Sequence, residues 1–188
     1  MMRKAVCVLA ALLLLATLGA KEGKDDAKKN EAADKRAQID AMAQEALDNL
    51  FAGNPEAKSL YDKSYGWAVF DNLKVAFLIS GGAGSGVAVQ KDGQRTYMKM
   101  GTGGVGLGLG GQKYQVIFLF ENAQVFDGFV NKGWKAETGA QAAAGTQGAS
   151  VGAVFTEGMA IYQITEKGLM ASADVSGTKY WKNEKLNK

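Results

Sequence analysis

The chain has 188 residues, with 22 basic against 19 acidic side chains, a formal charge of +3 and no histidine. Lack of histidine removes the usual general base, the usual activator of a nucleophile and the commonest metal ligand. The near-balanced charge is not the concentrated basic surface that nucleic-acid phosphates reward. Neither an enzyme, a cofactor nor a nucleic-acid partner is therefore expected. A hydrolase built without histidine would need a Ser–Lys pair or a carboxylate dyad, and Lys63-Ser64 and Ser59 are the material at hand.

Residues 1–20 have the order of a secretory signal. Arg3 and Lys4 precede an apolar run over 5–18, small Gly19 and Ala20 close it, and charged Lys21, Glu22 and Lys24 follow. The run is shorter than the roughly 20 residues of a membrane span, which favours cleavage near Gly19 or Ala20 over a retained anchor. The expected location is outside the cytoplasm, periplasmic or secreted and peripheral to a membrane. Cys7 stands near the start of the run, not at its end where a lipoprotein acceptor would sit, and its removal with the signal leaves no thiol for a disulfide framework. Two of the basic residues leave too, so the mature chain is close to neutral.

Residues 21–36 are charged and poor in large apolar groups, which predicts a flexible tether. Residues 37–188 are of a length for one domain. A helix is predicted over 33–52, because Ile39, Met42, Ala43, Ala46, Leu47, Leu50 and Phe51 repeat at helical spacing, with Asp40, Gln44, Glu45 and Asp48 opposite. Gly53 ends it. Asn54 caps a short second helix that opens on Pro55 and runs to about Ser64.

From Gly66 the period changes to two. Residues 67–70, 75–79, 87–91 and 94–100 read as strands, the last two joined by Asp92-Gly93, a strong hairpin signal. The unbroken apolar run 116–120 predicts a strand buried on both faces. A helix over 122–132 carries a Val125, Phe126, Phe129, Val130 stripe, and alternation resumes over 169–175. Strands outnumber the helices between them, so a parallel βαβ fold is not expected. The predicted class is α+β: a curved, mostly antiparallel β-sheet, barrel-like, with N-terminal amphipathic helices and one further helix packed on it.

The 25 glycines cluster. Gly101-Thr102-Gly103-Gly104-Val105-Gly106 matches G-x-G-x-x-G, with Glu121 about 20 positions on. Alternation of Gly104, Gly106, Gly108 and Gly110 with Val105, Leu107 and Leu109 has the period of a strand, and glycine on every second position would weaken a helix by about 1 kcal/mol each. Backbone packing, not dinucleotide binding, is the reading this supports. Gly81 to Gly86 lacks the Lys-Ser/Thr ending of a phosphate loop and reads as a turn or bent strand. Residues 139–152 are a second small-residue run.

Four stretches in order resemble the SYLF family. They are Ala46-Leu47-Asp48-Asn49-Leu50 with Pro55-Glu56-Ala57-Lys58-Ser59-Leu60, then Gly66-Trp67-Ala68-Val69-Phe70. Gly106-Leu107-Gly108-Leu109-Gly110-Gly111-Gln112-Lys113-Tyr114-Gln115-Val116-Ile117 follows, then Ile161-Tyr162 with Lys167-Gly168-Leu169-Met170-Ala171. The likeness spans about 37–180. Asp71 and Ser172 depart from the proline and glycine the family carries there. The resemblance implies a lipid-binding domain for membranes containing acidic lipids, acting through an N-terminal amphipathic helix and nearby basic residues. For an exported chain it implies phosphatidylglycerol or cardiolipin as the target. The residues it points to are Lys35, Arg36, Leu47, Leu50, Phe51, Lys58 and Lys63. Trp134, Tyr180 and Trp181, among Lys132, Lys135, Lys179 and Lys182, form a second aromatic–lysine group, of the kind found at membrane surfaces and at ordinary domain edges. Two readings stay open for the 39–51 stripe: insertion among headgroups, or plain core. A protein-interaction or scaffold module of the cell envelope is the alternative function.

Overall fold

The computed structural model describes the backbone of residues 2–77, 79–104, 109–135, 155–165, 168–170 and 177–188, and the side chains of 27–73, 81–103, 113–135, 155–165 and 177–188. It divides into two compact units, Met1–Gln38 and Ile39–Lys188.

Helix α1 runs over Met2–Gly53 without a break. Its backbone is helical through residues 21–36, a stretch rich in lysine and alanine and without proline. Helix α2 (Pro55–Lys63) begins as the sequence predicts: Asn54 is extended and its Oδ1 accepts the Ala57 N–H at 3.0 Å.

Eight strands form one sheet among the described residues. They are β1 (Gly66–Phe77), β2 (Ile79–Gln90), β3 (Arg95–Gly104), β4 (Leu109–Phe120), β5 (Trp134–Lys135), β6 (Met159–Thr165), β7 (Gly168–Met170) and β8 (Thr178–Lys182). Their order is β5-β8-β3-β2-β1-β4-β6-β7, every pair antiparallel, and the sheet curls into a half-barrel. The predicted α+β class holds. The β2–β3 hairpin turns at Asp92-Gly93, where Gly93 takes φ +92 and Asp92 Oδ1 accepts the Gln94 N–H at 2.9 Å. One boundary differs from expectation. Residues 67–70 and 75–77 are one strand, because Asp71 and Asn72 continue the ladder despite their polarity. Of the two readings of Gly81–Gly86, turn or bent strand, the structure has the strand: it is the middle of β2. Residues 105–108, 139–152 and 171–175 lie outside the described residues, and with them the centre of the glycine alternation. The described part of the G-x-G-x-x-G motif, Gly101–Gly104, is strand paired with β2, and the next described element is β4, where a dinucleotide fold needs a helix.

The register assigns each side chain to a face. Ala68, Phe70, Ala88, Met98, Met100, Val116, Phe118, Phe120 and Tyr180 share one face, and Phe126, Phe129 and Val130 cover them from α3 (Ala123–Asp127) and the π-helical turn Gly128–Lys132. Phe118 is the hub of this aromatic core, with ring centroids of Phe70, Phe120, Phe129, Trp134 and Tyr180 at 5.0–6.2 Å. On the opposite face Val69, Val87, Tyr97, Ile117 and Tyr162 are buried. Helices α1 and α2 supply the cover there. The Tyr97 hydroxyl donates to Asp40 Oδ2 at 3.0 Å, with Arg95 Nε 3.6 Å from the other carboxylate oxygen. Burial and the nearby Glu56 carboxylate of α2 raise the Tyr162 pKa.

The Tyr180 hydroxyl is buried without a hydrogen-bond partner among the described residues. Its pKa is raised well above 10, first by burial and then by neighbouring Tyr114. A raised pKa means that the folded state holds the proton more tightly than the unfolded state does. This contribution is complete below pH 10 and is lost as pH rises beyond it. Urea midpoints measured at neutral pH and above pH 10 should therefore fall in the alkaline range. Tyr180→Phe should flatten that fall and, by removing an unpaired buried hydroxyl, stabilise the neutral protein by about 1 kcal/mol.

Candidate functional site

The serine–lysine material for catalysis does not converge. Ser64 is buried and its Oγ donates to the Tyr61 carbonyl at 2.7 Å, closing the end of α2. Ser59 and Lys63 are exposed on that helix. Among the described residues no three acidic or thiol side chains are grouped to hold a metal ion.

The residues expected to meet lipid fall into three environments. Lys35, exposed, and Arg36, half-buried, belong to the Met1–Gln38 unit. Leu47 and Leu50 are 2% and 0% exposed, packed with Ile39, Ala43 and Ala46 on the sheet-facing side of α1. They are core in this structure, with no surface to offer a bilayer. A helix laid on a sheet must bury one stripe, and the 39–51 stripe is the one it buries. Phe51, Lys58 and Lys63 reach the surface at the corner where α1 meets α2.

That corner is compact. The Phe51 and Tyr61 rings meet edge to face at 5.0 Å. Lys58 Nζ stands 5.7 Å from the first centroid and 5.6 Å from the second, within cation–π range of both, and it also pairs with the Asp62 carboxylate one turn on. Lys91, from the β2–β3 turn, donates to the Asp62 carbonyl at 3.1 Å and fastens α2 to the sheet. Lys63 projects from the last turn of α2. Of the acids that flank the α1 stripe, Asp40 is taken up by Tyr97 and Arg95, whereas Glu45 and Asp48 are exposed.

The second aromatic–lysine group separates on folding. Tyr180 is wholly buried and Trp134 packs half-buried on the aromatic core, while Trp181 is exposed. Sequence reading missed Leu73, Lys99 and Lys113, exposed or half-exposed on the same face of the sheet as Trp181. Their alternation with inward Asn72, Met100 and Tyr114 was the available signal, but it becomes readable only when the register is known.

Comparison with known proteins bears on residues 101–188, which match the family described as Ysc84, Las17-binding protein actin regulator. The chain is also 47% identical over 152 residues to beta cell expansion factor A of Aeromonas veronii, an alignment covering 80% of this chain and 58% of that protein's length. The description of the matched family is that of a binding and regulatory protein. Over residues 101–188, from the end of β3 to the C-terminal strand β8 and beyond, this chain matches the SYLF (Ysc84) family.

Proposed function

We propose that this chain is an exported, non-catalytic module that docks on membranes bearing anionic phospholipid, of the phosphatidylglycerol or cardiolipin kind. The observation that carries the proposal is the α1–α2 corner, where Lys58 caps the Phe51–Tyr61 pair and Lys63 stands exposed beside it. A lysine seated on aromatic rings offers charge to headgroups and an apolar edge to the acyl boundary at one spot. The match of residues 101–188 to the SYLF (Ysc84) family supports the reading, and the order of residues 1–20 supports export.

With Leu47 and Leu50 in the core, little apolar surface at this corner remains for insertion, so the binding is chiefly electrostatic. Each lysine near an anionic surface contributes about 1 kcal/mol, and salt shortens the Debye length from about 10 Å at 0.1 M to about 3 Å at 1 M. Sedimentation with phosphatidylglycerol–phosphatidylcholine vesicles should therefore be strong at low salt and fall steeply as salt is added. Lys58→Glu with Lys63→Glu should weaken it about 30-fold or more while circular dichroism stays unchanged. Equal sedimentation with anionic and purely neutral vesicles, or none with either, overturns the proposal. The envelope scaffold then becomes the better function, with a pull-down from envelope extract as its test.

A further inference from the structure

The open end of the sheet carries a surface that the helices leave bare. One row crosses six strands in register: Lys135, Lys179, Gly101, Ala83, Leu73, Lys113. Alternation puts the whole row on the face that α1 and α2 cover farther along the strands, where Tyr97, Val87, Val69 and Ile117 are buried. Among the described residues that cover stops here, and Leu73 and Lys113 are exposed. Lysines stand at both margins, about 24 Å apart along the sheet at about 4.8 Å per strand. Lys99 adds a fourth in the next row, beside Trp181. None of the four is ion-paired among the described residues, and Asp71 is the acid that faces them.

Two further observations mark this face. The exposed large apolar side chains of the described protein are Leu73, 47% exposed, and Trp181, 38% exposed, and both lie on it. The glycines of β2 also divide by face. On the inner face Gly82, Gly84 and Gly86 are obligatory, because an added Cβ would come within 3.0 Å of backbone or side-chain atoms. On the open face Gly81 and Gly103, paired across β2 and β3, have room: a Cβ on Gly81 would meet only the Thr102 carbonyl, at 4.0 Å, and one on Gly103 nothing within 4 Å. Internal packing does not call for glycine there, and glycine weakens a strand. What it provides is a patch without side chains beside the lysine row, where another surface can lie close to the backbone.

We infer that this open sheet face is a docking platform for an anionic lipid bilayer, distinct from the α1–α2 corner. The charge selects an anionic occupant, and the breadth of a lysine row that crosses six strands selects an extended one. Trp181 and Leu73 supply the apolar contact at headgroup depth. The inference rests on the proposed membrane function and adds a second surface to it.

The test uses the full chain and phosphatidylglycerol–phosphatidylcholine vesicles, with phosphatidylcholine alone as the reference. Lys113→Glu with Lys179→Glu should lower partitioning about 30-fold or more at low salt and leave the circular dichroism and urea midpoint unchanged. Tryptophan emission should shift to the blue on anionic vesicles, and Trp181→Phe should abolish the shift although Trp67 and Trp134 remain. If the unmodified chain binds, and the double variant binds equally well or Trp181→Phe keeps the shift, the platform is wrong while the membrane reading stands on the α1–α2 corner. If the unmodified chain does not bind anionic vesicles, both fall together.

Discussion

Replacing Gly86 by valine is expected to abolish folding of Ile39–Lys188, where Gly103→Ala should cost less than about 1 kcal/mol. Gly86 lies in β2 directly opposite Phe70, and an added Cβ would press on the Val69 carbonyl oxygen and on the Phe70 ring, both well inside 3.0 Å. Neither neighbour has room to yield. The carbonyl belongs to the β1–β2 ladder, and the ring is wholly buried, 4.7 Å from Tyr180 and 6.0 Å from Phe118. Overpacking typically costs 1–3 kcal/mol when side chains can shift. A clash with ladder backbone exceeds that and approaches the whole stability of a domain of this size. Gly84→Val should behave in the same way against Asp71 O and Met100. Gly103 has open space, so alanine there changes little beyond strand propensity. Soluble yield and urea midpoints of the three variants check the expectation. A well-folded Gly86→Val would show that β1 and β2 are not paired in this register.

Phe118→Ala should be the most damaging core truncation, at about 3–5 kcal/mol. The ring is fully buried on β4 and is the point at which β1, β4, β8, the π-helical turn and β5 meet through Phe70, Phe120, Tyr180, Phe129 and Trp134. Four of these five ring contacts are edge-to-face or tilted, a geometry that adds to the area term. Its deletion leaves a cavity bounded by other large rings that cannot collapse around it. Leu47→Ala on the opposite face should cost about 2–5 kcal/mol through the same transfer and cavity terms. That loss is also the sign that Leu47 is core: a lipid-facing leucine would weaken vesicle binding while leaving the urea midpoint in place.

Local pattern made much of this fold readable. The cap at Asn54 with Pro55, the turn at Asp92-Gly93, the doubly buried run 116–120 and the stripe Val125, Phe126, Phe129, Val130 all depend on residues within a few positions of one another, and all appear as the sequence indicates. The helical stripe over 39–51 was equally clear, but its use was not. An amphipathic face has the same spacing whether it meets lipid or a sheet, and only the presence of Val69, Val87 and Tyr97 beneath it decides for the sheet. The polar residues Asp71 and Asn72 hid the continuity of β1, because strand pairing is supplied by the neighbours β2 and β4 and not by the strand's own composition.

By itself, then, the sequence determined the class, the family likeness and the exclusion of histidine-based chemistry, since composition and short-range periodicity suffice for these. The tertiary structure alone decided which exposed side chains share a surface. Lys113, Lys135 and Lys179 are up to 66 positions apart and carry no motif. They fall in one row because antiparallel pairing aligns β4, β1, β2, β3, β8 and β5, and a shift of one residue in any pair would send part of that row to the opposite face.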